Sequence, residues 1–246
     1  MSASRLVLVS GWGIAAAVFD PLARQLADRR RVSLVDMPGY GGSDSRAVSD
    51  LDSLADAVRA QVPDGATVLG WSLGGLVALR LATRRDLEAL ILIGSTPRFV
   101  AGAGWPFGLS PDDFERFRPA PDEAPWRRLE QFAVLVAQGD RRAAAVLARL
   151  RDVIRARPTA AALRAGLDIL AVSDLRDELR RIGVPVLVVA GARDRIVPVA
   201  ASRALANRLP HAELHLMAGA AHAPFVGREQ RLAARIEAFL ATRAAA

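Results

Sequence analysis

Ala66-Thr67-Val68-Leu69-Gly70-Trp71-Ser72-Leu73-Gly74-Gly75-Leu76-Val77-Ala78-Leu79 joins a short apolar run to a glycine-flanked serine, and then to a second apolar run with helical spacing. It reads as a strand, a sharp turn and a helix, with Ser72 at the tip. The glycines of a Gly-x-Ser-x-Gly turn have a mechanical reason. A serine held at a strained backbone angle brings the residues two positions away into contact, so Gly70 and Gly74 must be small. The turn exposes the Ser72 hydroxyl at the end of a sheet. The helix that follows directs unsatisfied N–H groups and the positive end of its dipole at that hydroxyl, which suits the Leu73 amide to a developing oxyanion. An ordinary tight turn with an idle serine is the competing reading. An acid, a histidine and a second oxyanion donor decide between the two.

Outward from this stretch, strand-like and helix-like segments alternate. Leu6 to Val9 is a continuous apolar run of the kind buried on both faces of a parallel sheet, and it ends in Ser10-Gly11-Trp12-Gly13. Phe19 to Ala27 follows as a helix, with Asp20-Pro21 in its first turn. Further strands are expected at 31–35, 67–69, 87–93, 184–189 and 213–217, and further helices at 51–60, 73–83, 200–208 and 229–242. The absence of hairpin signals argues for an α/β fold with a mainly parallel sheet flanked by helices. From Pro97 to about Asp168 the rhythm changes: prolines cluster at 97, 106, 111, 119, 121 and 125, and two amphipathic segments follow, 125–138 and 141–157. The expected organisation is a core built from 1–97 and 169–246, with 98–168 as a helical lid. The closing alanines read as a frayed end.

The loops at the strand ends supply the missing chemistry. Asp194 stands just past the strand ending at Val189, where a carboxylate can orient a histidine; Asp168, Asp174 and Asp177 are poorer choices at the end of the helical insertion. Of three histidines, His211 and His215 flank a strand and read as surface or packing residues. His222 lies in the small-residue loop Gly219-Ala220-Ala221-His222-Ala223-Pro224-Phe225, where an imidazole can reach Ser72 as general base. Trp12 offers the second oxyanion amide, and its side chain also reads as packing beneath the lid. The chain order Ser72, Asp194, His222 is the nucleophile-acid-histidine order of the α/β-hydrolases.

Composition narrows the field. The 246-residue chain suits one sizeable domain, and an apolar fraction of 52% is ample for its core. The chain has no cysteine, which excludes disulfides and a thiolate nucleophile. No apolar run approaches membrane-span length and no signal peptide is visible, so a cytoplasmic location is the default. The net charge of +7 comes entirely from arginine, without lysine, mostly scattered among acids, which argues against nucleic acid. One segment departs from the scatter: residues 127–157 carry eight arginines against Glu130, Asp140 and Asp152.

The chain also resembles a narrower family. Ser-Gly-Trp-Gly at 10–13, Leu-Val-Asp-Met-Pro-Gly-Tyr-Gly at 34–41, Leu-Gly-Trp-Ser-Leu-Gly-Gly-Leu-Val-Ala at 69–78, Gly-Leu-Asp-Ile-Leu at 166–170, Asp-Leu-Arg at 174–176 and Ala-Ala-His-Ala-Pro-Phe at 220–225 together look like the pimeloyl-[acyl-carrier protein] methyl ester carboxylesterases of biotin biosynthesis. The resemblance spans nearly the whole chain; Trp-Ser-Leu-Gly-Gly and Ala-His-Ala-Pro-Phe are its most discriminating pieces. It implies an α/β-hydrolase fold and hydrolysis of the methyl ester masking a pimeloyl chain on acyl carrier protein, with no metal or organic cofactor. By position it implies substrate contacts at Trp12, Trp71, Ser72, Leu73, Phe132 and His222. Two departures stand out. Ser10 replaces the family's usual histidine before Gly11, and few residues precede the first strand, so the leading antiparallel pair is expected to be missing and about six parallel strands to remain.

Under that resemblance the arginine-rich segment gains a partner. Acyl carrier protein is acidic, and arginine recognises carboxylate and phosphate through its planar fork. Arg127, Arg128, Arg141 and Arg142 are the expected contacts, on an enzyme expected to be monomeric; a solvated helix face in an arginine-biased protein is the competing reading. The functional rivals are a general esterase of small carboxylic esters, a carbon–carbon bond hydrolase with the same triad, and a non-catalytic ligand-binding protein of hydrolase fold.

Overall fold

Among the described residues, six short segments form six parallel strands: β1 (Arg5–Val9), β2 (Arg31–Val35), β3 (Thr67–Trp71), β4 (Ala89–Ile93), β5 (Val186–Gly191) and β6 (Ala212–Met217). The computed structural model describes residues 4–119 and 125–242; Pro121 and the closing alanines lie outside the described residues. Every residue of β3, β4 and β5 is buried, which is why these runs are apolar without alternation. Each Val, Leu or Ile buried there contributes about 1.5–3 kcal/mol. β2 and β6 are the sheet edges and are only partly covered.

The strand order is β2-β1-β3-β4-β5-β6. The chain therefore steps one way from β1 to β2, then returns past β1 to build the rest of the sheet. That reversal opens a crevice beyond the carboxyl ends of β1 and β3, the position where open α/β sheets bind ligands. The Trp12 loop follows β1 and Ser72 follows β3, so both donors of the expected oxyanion site border this crevice.

Between the strands lie α1 (Asp20–Leu26), α2 (Leu51–Arg59), α3 (Leu73–Ala82), α8 (Val199–Ala206) and α9 (Glu229–Ala241). Helix α2 starts in a reciprocal cap: the Asp50 carboxylate accepts from the Ser53 amide at 2.8 Å while the Ser53 hydroxyl oxygen accepts from the Asp50 amide at 3.2 Å. From there its apolar face, Leu51, Leu54, Ala55 and Val58, is buried.

Among its described residues, the long segment between β4 and β5 adds no strand to the sheet. It carries four helices where two were expected: α4 (Pro111–Phe117), α5 (Trp126–Ala137), α6 (Ala143–Ile154) and α7 (Ala160–Val172). Ser110 caps α4 through the Asp113 amide at 3.1 Å with Pro111 in the first turn, and Thr159 caps α7 through the Ala162 amide at 3.2 Å. The boundary expected at residue 168 falls inside α7. Among the described residues no helix is long and apolar enough to cross a membrane.

Candidate active site

Ser72 is the only non-glycine described residue with positive φ, at φ 56° and ψ −118°. Such a conformation costs about 1–3 kcal/mol and persists only where the surroundings over-determine it. They do so here by contact. A side chain at Gly70 would enter the Gly74 backbone, and one at Gly74 would enter the Val9 and Ser10 carbonyls. The Ser72 amide also donates to the Ile93 carbonyl at 3.0 Å, which fixes the turn to the end of β4. Leu73 is the first residue of α3, so its N–H has no carbonyl inside the helix to bond.

Asp194 and His222 come from the loops after β5 and β6. Asp194 Oδ2 lies 2.8 Å from His222 Nδ1, and both side chains are fully buried. The other carboxylate oxygen, Oδ1, accepts the Ile196 and Val197 amides at 2.8 and 2.9 Å, so the acid cannot turn away. This network assigns the proton to Nδ1 and leaves Nε2 as an acceptor. Among the described residues, buried His222 Nε2 has no hydrogen-bond partner. Gly94, one residue past the carbonyl that holds Ser72, packs directly on the imidazole; a Cβ there would lie 3.1 Å from Nδ1. The end of β4 thus gathers the serine and histidine loops.

The Trp12 side chain packs beneath the lid. Gly166 on α7 lets the indole approach, since a Cβ there would lie 2.6 Å from Trp12 Cδ1, and the indole N–H donates to the Leu163 carbonyl at 2.8 Å. The ring meets Phe117 and Phe132 edge-on, with centroids 5.6 and 5.4 Å away. Ser10, where a histidine is usual, is fully buried and donates its hydroxyl to the Ile14 carbonyl, closing the loop that carries the Trp12 amide.

Above Ser72 opens a cavity of about 160 Å³. Its walls are Trp12, Phe117, Phe132, Phe99, Leu109, Leu167 and Leu170; Leu135, Gln138, Arg195 and Ile196 complete the lining. Sequence reasoning named Trp12, Ser72 and Phe132 in this wall and missed the rest. Their apolar periodicity signals burial but not which cavity they face.

One expectation is corrected. Trp71 contributes nothing to the cavity lining: it is fully buried, with its indole N–H on the His222 carbonyl at 2.8 Å and its ring 5.7 Å from the imidazole. Through these contacts it supports the histidine loop. The Leu73 side chain is likewise fully buried in the core, which leaves only its amide for the site.

The expected carrier-protein arginines divide. Arg127 and Arg128 open α5, beside half-exposed Trp126, over whose ring Arg157 lies at 6.0 Å. Arg142 donates to the Gly227 carbonyl, and the Arg141 amide donates to the Gly219 carbonyl at 2.9 Å. Both therefore join the lid to the histidine loop. His215, on β6, has its imidazole pushed toward the neutral form by burial, and then by Arg235 and Arg231. Among the described residues no group of three His, Cys, Asp or Glu could hold a metal ion.

The alpha/beta hydrolase family model matches residues 6–235. A pimeloyl-[acyl-carrier protein] methyl ester esterase of Xanthomonas campestris pv. campestris is 39% identical over 240 residues, covering 96% of this chain and 94% of that protein. Its counterpart from Nitrosomonas europaea is 38% identical over 225 residues, covering 90% and 89%. Among solved structures, a bromoperoxidase from Bacillus anthracis superposes with a TM-score of 0.88 at 17% identity, covering 97% of this chain and 92% of that one, a likeness of fold alone.

Proposed function

The chain belongs to the alpha/beta hydrolase family and, within it, to the pimeloyl-[acyl-carrier protein] methyl ester esterases, and from that membership we propose that it hydrolyses the methyl ester of a pimeloyl chain carried on acyl carrier protein, freeing the carboxylate for biotin synthesis. The observation that carries the chemistry is the buried Asp194–His222 pair at 2.8 Å, set behind a serine on a strained elbow that opens into an apolar cavity.

Ser72 Oγ attacks the ester carbonyl while His222 Nε2 takes its proton. The Trp12 and Leu73 amides hold the oxyanion, a contribution of about 3–4 kcal/mol for each donor. The tetrahedral intermediate collapses, His222 returns the proton to the leaving oxygen, and methanol departs. Water then attacks the acyl-enzyme with the same histidine as base, which releases the carboxylate and restores Ser72. Asp194 holds the imidazole tautomer throughout. The apolar walls suit the methylene chain between the two carboxyl ends. Every step is proton transfer and acyl transfer, and the reading uses no metal or organic cofactor.

The partner is the acidic carrier. It docks on the arginine-rich face of the lid, where Arg127 and Arg128 stand beside the Trp126 ring, with Arg141 and Arg142 at the join to the histidine loop. One chain supplies the whole site, in keeping with a monomer acting in the cytoplasm.

The deciding experiment compares the carrier-bound methyl ester with free p-nitrophenyl butyrate. Arg127→Glu/Arg128→Glu raises KM for the carrier-bound ester about tenfold, as expected for lost charge pairing at an interface, and leaves the free ester unchanged. An enzyme that ignores the carrier-bound ester but turns over the free one is a general esterase. A chain that neither hydrolyses an ester nor reacts with a fluorophosphonate at Ser72 is a binding protein.

A further inference from the structure

Asp140 sits in the connector between α5 and α6, far in sequence from every strand-end loop, yet its side chain is fully buried. Its carboxylate links the lid to the loop that carries His222 and to Arg228 just beyond it. Oδ2 accepts the Ala221 amide at 2.8 Å, one residue before the histidine. Arg228, just before α9, grips the same carboxylate with two prongs, Nη2 to Oδ1 at 2.7 Å and Nη1 to Oδ2 at 3.2 Å. Nη2 also donates to the Gly219 carbonyl at 3.0 Å. The Arg142 amide closes the lid side of the cluster on Oδ1 at 2.7 Å. The Arg141 amide on Gly219 and the Arg142 side chain on Gly227 fasten both ends of the same loop.

We infer that Asp140, paired with Arg228, is a positioning residue for His222: it acts through residues 219–227 and holds Nε2 where Ser72 needs it. Phe225 and Val226 anchor the far side of this loop in the core, but Gly219, Ala220 and Ala221 before His222 carry no polar side chain, so their backbone is held by groups outside the loop. Burying a carboxylate and a guanidinium is costly unless both are fully bonded, and such a pair is weak evidence for stability alone. Here the bonded backbone atoms are those adjoining the catalytic loop. The inference rests on His222 being the general base.

The test uses Asp140→Asn and Arg228→Lys, read with p-nitrophenyl butyrate and with fluorophosphonate labelling of Ser72, beside His222→Ala. Asp140→Asn keeps the shape and removes the charge; Arg228→Lys keeps the charge and loses the fork. A displaced base lowers kcat about 10²-fold in Asp140→Asn, with KM within about twofold. Labelling then runs to one per chain, but slowly, and Arg228→Lys falls between that variant and the parent. Should Asp140→Asn fail to fold, Arg228→Lys decides alone by the same split. A parental kcat and labelling rate, or labelling that is fast but incomplete because part of the protein is unfolded, overturns the role. If His222→Ala hydrolyses at the parental rate, the base assignment itself is wrong; an active Asp140→Asn beside an inactive His222→Ala removes only Asp140.

Discussion

Asp194 Oδ2 and His222 Nδ1 are 2.8 Å apart in a fully buried pair, and the second carboxylate oxygen is already held by the Ile196 and Val197 amides. An amide at position 194 keeps that geometry but can present an N–H to Nδ1, which favours the tautomer whose proton blocks Nε2. Asp194→Asn is therefore expected to lower kcat about 10⁴-fold, with the melting temperature little changed. A variant within tenfold of the parent enzyme would remove Asp194 from the mechanism.

The φ of 56° at Ser72 predicts a trade between activity and stability. Glycine adopts that region without strain, so Ser72→Gly abolishes ester turnover and raises stability by about 1 kcal/mol, the relieved strain less the chain entropy of an added glycine. Urea denaturation measures it; a lower midpoint with unchanged slope contradicts the strain account.

Trp71 supplies a test of its corrected role. Trp71→Phe keeps the aromatic packing but leaves the buried His222 carbonyl without its donor, a loss of about 1–2 kcal/mol felt at the histidine loop. Ester kinetics should show kcat lower by about tenfold and KM unchanged. A rise in KM alone would return Trp71 to the substrate.

Gly74 is a matter of space. A methyl group there meets the carbonyls of Val9 and Ser10, which belong to the sheet and its loop and cannot move independently. Gly74→Ala should destabilise the fold by about 3 kcal/mol, read as a shift of the chemical denaturation midpoint.

Asp140 predicts a dependence on acid. Burial pushes its carboxyl up, but Arg228 and the Arg142 and Ala221 amides together outweigh burial and hold it below the ordinary carboxylate value. A group depressed by folding contributes stability that is fully present above its unfolded value and disappears as pH falls through the folded one. The melting temperature of the parent should exceed that of Asp140→Asn at neutral pH, and the gap should close as pH falls below about 4. A gap that persists in strong acid would mean that packing, not charge, separates the two proteins.

The central strands were legible because each is a nearly continuous apolar run, and the edge strands β2 and β6 because apolar and polar residues alternate along them; loops at the strand ends carry Ser72, Asp194 and His222, so triad and sheet were read from one signal. The lid was only half legible. Helix α4 hid among prolines, although Ser110-Pro111-Asp112-Asp113 is a sound helix start, and α7 lost its outline to alanines and Gly166. Cavity walls depend on how α4, α5 and α7 lean together, which periodicity along one helix does not encode. Trp71 was misassigned because sequence gave its neighbour but not its face. Asp140 was invisible for a simpler reason: Arg228 lies 88 residues away.

The indole of Trp12 reaches up from the oxyanion loop to a carbonyl of α7 and is wedged between Phe117 and Phe132. The roof is riveted at its centre to the loop beneath it. Traffic is left to the eaves, where half-exposed Leu135 stands with Gln138 and Arg195 on the same chamber. If an ester enters there lengthwise, straight-chain p-nitrophenyl esters outrun branched ones, and equal rates would mean that the passage sets no calibre.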